Sequence, residues 1–310
     1  MNILFISRSN HKFGISPIIK NQGKSLSVNK VNIDYFTISG KGFWGYFKSI
    51  FHLKKYIKQK KYDIYHAHYS LSGMVAALAG CKPLIVSLMG SDVKSKWYSK
   101  YFIYFFDIFF WKTIIVKSVD MKNIINHSKC VILPNGVDIE RFKPLDRNVS
   151  LNRLGWNKNK QHILFASDPN RSEKNFNLLK ESLQFINCNY QIHFLKNIKS
   201  EDIYYYLNAT NVLVLSSLWE GSPNVIKEAM SCNCPIVSTR VGDVDWIVGD
   251  TAGCFLSSFD SKDLAKCINE AIIFSSKVKK TNGRERIKYL NLDSLSISKK
   301  LINLYNKTLN

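Results

Sequence analysis

Residues 211–242 read NVLVLSSLWEGSPNVIKEAMSCNCPIVSTRVG. The apolar, branched run Val212–Leu215 has the length of a strand buried on both faces. A polar turn, Ser216 to Gly221, separates it from a helix for which Ser222 supplies the N-cap and Pro223 the first residue. That helix is expected to stop near Cys232, because Asn233 can take a left-handed cap and Pro235 cannot continue it. Ile236–Ser238 forms a second apolar strand, and Gly242 closes the stretch. The pattern is strand–helix–strand, and in an open parallel sheet ligands bind where such a strand gives way to its helix.

Two carboxylates punctuate this unit, Glu220 in the turn and Glu228 on the helix, with seven residues between them. Glu220 stands just before the helix N-terminus, whose free N–H groups and dipole favour an anion such as a diphosphate. A carboxylate beside an anion site needs another purpose, and accepting hydrogen bonds from hydroxyls is one. Glu228 and Asn224 are four apart on one helix face, where two acceptors can engage a vicinal diol. Each Glu alone could equally be a solvated acid.

EGSPNVIKE followed by AMSCNCPIVSTRVGD resembles the E-x7-E signature of the family 4 retaining glycosyltransferases. The resemblance implies an α/β chain of GT-B architecture, two Rossmann-like doubly wound domains facing a cleft, with a C-terminal helix crossing back to the first domain. It implies that Glu220 holds the donor sugar and Glu228 the ribose hydroxyls, with Gly221, Ser222, Pro223, Asn224 and Val225 completing the donor contacts. The expected domains are 1–147, joined by a crossover helix at about 295–310, and 148–294. The resemblance extends over essentially the whole chain and is most specific over residues 211–256.

At 310 residues there is enough chain for two domains with real cores. No run of eighteen apolar residues is present, and the start, MNILFI, lacks a signal-peptide layout. Seven scattered cysteines suggest a reducing compartment, and Cys232 and Cys234, without a second pair, do not suggest zinc. The cytoplasm is the expected location. Charge is unevenly spread. Residues 1–150 hold 23 Lys+Arg and 8 Asp+Glu, a net of +15, against +6 for the rest. That excess implies an acidic surface or ligand for the first half.

The first domain supplies several candidates. Asn2–Ser7 is a strand, and Gly14 in the loop after it would let backbone amides approach a phosphate. FGISPIIKNQGKSL resembles the family's glycine loop and following helix. Phe47–Lys61 is an amphipathic helix whose six lysines suit either solvent or anionic lipid headgroups, and the second is favoured. In YDIYHAHY, His66 and His68 point to one side of an extended chain. Core histidines are one reading; by resemblance to the family's acceptor-side segment, His68 contacts the acceptor. Leu84–Leu88 is a strand and MGSD follows it. Many family members carry His where Met89 stands, so no general base is assigned there, and Asp92 remains as the polar acceptor-side group. The segment 97–111, WYSKYFIYFFDIFFW, has ten aromatics in fifteen residues, with Lys100 and Asp107 on one helical stripe. It reads as a helix buried in the first domain or, as the alternative, one inserted shallowly in a membrane.

In the second domain Gln161–Ala166 is a strand, and the SDPNRSEKNF loop offers Arg171 and Lys174 as fixed cations for a leaving diphosphate. The family places four residues between its Arg and Lys; here two intervene and Pro169 holds the usual Arg position. Solvated loop charges are the plainer alternative.

The reading is a metal-independent transferase with no cofactor beyond its nucleotide-sugar donor. Glu220, Lys174 and Arg171 would serve catalysis, and the acceptor is a lipid-linked glycan of cell-surface polysaccharide, capsule or lipopolysaccharide assembly. The protein would sit peripherally on the cytoplasmic face of an anionic membrane. Two rivals are a GT-B nucleotide-sugar epimerase and a basic nucleic-acid- or membrane-surface-binding protein without catalysis. Nucleic acid is not an expected partner: no helix-turn-helix, RRM or zinc pattern accompanies the basic charge.

Overall fold

The computed structural model describes residues 1–9, 14–40, 42–94, 99–278 and 280–310. The chain divides into two compact units, residues 1–136 with 294–310, and residues 137–293. The first division falls after Gly136, and the helix that follows it is capped by Asp146, which accepts from the Asn148 and Val149 amides.

The first unit runs β1 (Asn2–Arg8), α1 (Pro17–Val28), β2 (Asn32–Ile38), α2 (Gly42–Gln59), β3 (Ile64–His68), α3 (Ser70–Leu78), β4 (Leu84–Ser87), α4 (Ser91–Lys94), α5 (Ser99–Phe109), β5 (Thr113–Val116), α6 (Val119–Ile125) and β6 (Cys130–Ile132). The second runs α7 (Arg147–Leu154), β7 (Gln161–Phe165), α8 (Phe176–Ser182), β8 (Tyr190–Phe194), α9 (Ile203–Ala209), β9 (Val212–Leu215), α10 (Asn224–Ser231), β10 (Ile236–Thr239), α11 (Val244–Val248), β11 (Cys254–Ser257), α12 (Ser261–Lys277) and α13 (Gly283–Tyr289). The last helix, α14 (Ser294–Leu309), belongs to the first unit.

Both sheets are wholly parallel, ordered β2-β1-β3-β4-β5-β6 and β11-β10-β9-β7-β8. In each unit the strand order reverses direction beside the first strand, between β1 and β3 and between β7 and β9. Crevices outside the carboxyl ends of strands at such switch points are where open α/β sheets bind ligands.

Alternation along the strands sorts the first unit's core. Leu4, Ile6, Ala67 and Val86 pack with Leu53 of α2, Val75 of α3 and Ile103 and Phe106 of α5. From the other face His66 reaches Tyr305 of α14, Nδ1 to Oη 2.6 Å, both fully buried. The last helix thus completes the first unit's core; α1 packs beside it, with Asn29 donating to Ser298 at 2.9 Å.

Three expectations change. Helix α2 starts at Gly42, five residues before Phe47, because its first buried positions are small: a Cβ on Gly45 would lie 2.6 Å from the Gly40 carbonyl carbon. Small residues leave no hydrophobic period to read. In α5, Asp107 is buried against His127, Nδ1 to Oδ2 2.6 Å, while the aromatics Tyr101, Phe102, Tyr104, Phe105 and Phe109 face outward. The helix is therefore core on one narrow stripe only. Trp97 and Tyr98 of that stretch, and residues 10–13 of the loop after β1, lie outside the described residues. Ser222, finally, is not the N-cap of α10. That place is Pro223, with φ −68° and ψ 118° and no side-chain cap, and the Ser222 hydroxyl accepts from Lys227 instead.

Candidate functional site

The loops at the second unit's switch point are laced together. Ser216 Oγ donates to the Lys174 and Asn175 carbonyls at 3.1 and 2.9 Å, and the Leu218 amide donates to the Glu173 carbonyl at 2.9 Å. The loop after β9 is thereby fixed against the loop after β7. The consequence is a direct ion pair between Lys174 and Glu220, both largely buried, with Ser217 Oγ donating to the same Glu220 oxygen at 2.7 Å. Residues 46 apart in sequence meet where the topology predicts a ligand.

Behind this pair the turn into α10 is held rigidly. Gly242, φ +59°, abuts the turn so closely that a Cβ there would lie 2.4 Å from the Gly221 carbonyl oxygen. Lys227 is wholly buried under the turn and donates to Ser222 Oγ at 3.0 Å. Burial pushes its ammonium down to about 8, opposed by the charges of Asp243 and Glu228. Asp243, beside Lys227, is itself pushed up by burial to about 6. The cation and its acid largely cancel, so the free N–H groups of the α10 N-terminus set the potential that an arriving anion would meet.

Glu228 keeps part of its surface open but sits deep in the unit, and desolvation raises its carboxyl to about 7 against the pull of Arg141 and Lys227. One turn earlier on the same face, Asn224 Oδ1 is buried with no hydrogen-bond partner. Two acceptors, one of them unsatisfied, line one edge of the α10 N-terminus. Gly221 and Pro223 are buried in the turn, and Val225 is half-buried in the first turn of α10.

Arg171 does not join this cluster. Its guanidinium is exposed and grips Glu173, Nε to Oε1 2.8 Å. The residues that sequence reasoning missed are Arg141, Ser217, Lys227 and Asp243. Lys227 carried a signal: it is flanked on the helix by the apolar Pro223 and Met230 at i−4 and i+3, a poor place for a solvated lysine.

At the first unit's switch point, Gly14 has φ +82° and open space where a Cβ would stand, so its backbone can be approached closely. His68 ends β3, buried against Phe5 and stacked on His66 with ring centroids 4.4 Å apart. Neither of its ring nitrogens has a hydrogen-bond partner, and burial lowers it to about 3, so the imidazole is neutral. Asp92 is buried, raised to about 6 by desolvation, and commits both oxygens to backbone: Oδ1 accepts from the Met89 and Gly90 amides and Oδ2 from the Ser70 amide, all within 3.0 Å. It organises the loops. Between His68 and Ser70, Tyr69 is held at φ +85°, a strained value for a side-chain-bearing residue, by these flanking bonds and its own amide's bond to the Ser87 carbonyl.

The fold matches solved structures over its full length. Sucrose-phosphate synthase from Thermosynechococcus elongatus superposes with a TM-score of 0.85, covering 99% of this chain and 98% of that one at 17% identity. Anabaena HepE in complex with UDP and glucose gives 0.78, covering 99% and 100% at 17% identity. Two family profiles match in sequence: Glycosyltransferase Family 4 over residues 22–141 and Glycosyl transferases group 1 over residues 153–273. The chain is a GT-B glycosyltransferase. A curated relative of this glycosyltransferase is the Escherichia coli UDP-Gal:alpha-D-GlcNAc-diphosphoundecaprenol alpha-1,3-galactosyltransferase, 28% identical over 84% of this chain and 76% of the relative.

Proposed function

We propose that the protein transfers a sugar, with retention of anomeric configuration, from a uridine-diphosphate sugar to a hydroxyl of a polyprenyl-diphosphate-linked saccharide. The observation that carries the reading is the buried Lys174–Glu220 pair set at the β7/β9 switch point beside the α10 N-terminus. The donor class is supported by the Escherichia coli relative, whose name specifies UDP-Gal and a lipid-linked GlcNAc.

In this mechanism Glu228 and Asn224 accept from the ribose hydroxyls, and Glu220 accepts from hydroxyls of the donor sugar. Lys174 carries three N–H donors, so it can keep Glu220 in place while donating to a diphosphate oxygen. The charge that develops on the leaving diphosphate is met by Lys174 and the α10 amide groups. The acceptor hydroxyl attacks from the face the diphosphate leaves, and the departing phosphate oxygen takes its proton. The C–O bond to the acceptor forms as the C–O bond to phosphate breaks, and no metal takes part. Cell-surface glycan assembly on the cytoplasmic side of a membrane is where such donors and acceptors meet.

The test is a thermal-shift panel of UDP-, GDP-, ADP- and dTDP-sugars on wild type and Glu228→Ala, followed by NMR of the product. A shift confined to UDP-sugars and lost in the variant supports the donor assignment, because ligand binding stabilises by mass action. An inverted product anomer overturns the mechanism. Conversion of the donor without acceptor would make the protein an epimerase, and a rate abolished by EDTA would bring a metal back.

A further inference from the structure

The outward face of the first unit's helical layer is built for a lipid surface. Helices α2, α3 and α5 pack on one side of the sheet in a single core cluster, with α3 contacting both of the others. Their buried stripes are narrow, and what remains outside is aromatic. Phe43, Trp44 and Phe51 of α2 and Phe102, Phe105 and Phe109 of α5 each expose more than half of their surface. Leu71 and Leu78 of the intervening α3 are also exposed. Soluble surfaces scatter single apolar side chains, but large rings from two helices of one layer are an interaction surface.

The rings pack against one another along their helices. Phe47 and Phe51 have centroids 5.3 Å apart, and Phe105 and Phe109 5.1 Å. At about 100° per residue, Phe43, Phe47, Phe51, Lys54 and Lys58 share an arc of about 80° on α2. The first two turns of that arc are aromatic and the next two basic. No acid occurs between Asp34 and Asp63, and Lys48, Lys54, Lys55, Lys58 and Lys61 are all exposed.

We propose that this α2–α3–α5 face docks on a bilayer containing anionic lipids, the rings entering the headgroup–acyl boundary and the lysines pairing with headgroup charge. The charge distribution selects this occupant. Rings alone would suit a second copy of the chain, but two copies would bring two lysine-rich arcs together and repel. An anionic bilayer offers apolar depth and opposite charge at once. Among the described residues no helix is long and apolar enough to cross a membrane, so the contact is one of a surface laid on the bilayer. The inference rests on the first unit's surface and is independent of the transfer reading.

Purified protein would be mixed with vesicles of phosphatidylcholine alone and with phosphatidylglycerol added, and partition measured by flotation. Trp44 serves as a built-in reporter through its emission. The expected result is binding to the anionic vesicles with a blue shift that Trp44→Phe removes. Binding should fall about tenfold or more in Phe43→Ser/Phe47→Ser/Phe105→Ser and decline with added salt. Because these side chains are on the surface, the triple variant should keep its circular dichroism and thermal transition. Equal binding by wild type and variant, or none to either vesicle, overturns the proposal. So does a concentration-dependent dimer, lost in the triple variant, with no vesicle binding.

Discussion

At the scale of single residues, Glu228 makes the sharpest prediction. Burial lifts its carboxyl to about 7, above the unfolded value near 4.5, so the surrounding protein disfavours ionisation. A ribose diol prefers the ionised acceptor, and a UDP-sugar has no group of its own titrating near neutrality. Affinity for the UDP-sugar should therefore rise as pH increases through about 7 and level off above it. Calorimetry should find that slope in wild type and a clearly shallower one in Glu228→Gln, where only Asp243 and Lys227 still titrate near this range. The same raised value means that this group's contribution to stability is present below the unfolded pKa and is lost as pH rises through about 7. Lys174→Ala should lower kcat by about 10²–10³, whereas Arg171→Ala should change it little, because Arg171 is spent on Glu173 in solvent. Lys227 and Asp243 should couple: Lys227→Met alone strands a buried carboxylate, and the double variant with Asp243→Asn should recover part of the lost stability in a thermal-melt cycle.

Among elements, the decisive junction is between the turn into α10 and the loop after β10. Gly242→Ala places a methyl group 2.4 Å from the Gly221 carbonyl oxygen and demands φ +59° of an alanine. The turn must shift, and we expect a cost of about 1–3 kcal/mol in stability together with a raised KM for the donor. The strand–helix–strand around this junction was legible because its strands are buried on both faces and its helix end carries Asn233, which indeed takes φ +55°. Its cap was not, since Ser222 and Lys227 pair inside the fold and nothing local distinguishes a capping serine from one claimed by a lysine five residues on. Asp107 was opaque for the same reason: its partners, His127 and Lys129, come from beyond the next strand. Lys174 and Glu220 could be named from the sequence, but their contact depends on Ser216 tying two loops together.

For the whole molecule, the two units depend differently on the chain. The second is continuous, residues 137–293, while the first is split by it and needs residues 294–310. Tyr305→Phe leaves the buried His66 Nδ1 without its partner at a cost of about 1–3 kcal/mol, which denaturant titration should register in the first unit's transition. A chain stopped after Asp293 should keep the second unit's protection against proteolysis and lose the first unit's. This arrangement also fixes an order of events during synthesis. His66 leaves the ribosome 239 residues before Tyr305 does, so the first unit's sheet waits, one face uncovered, through translation of the entire second unit. The part of the protein made first is the last that can finish folding, and for that interval it is a natural client for a chaperone.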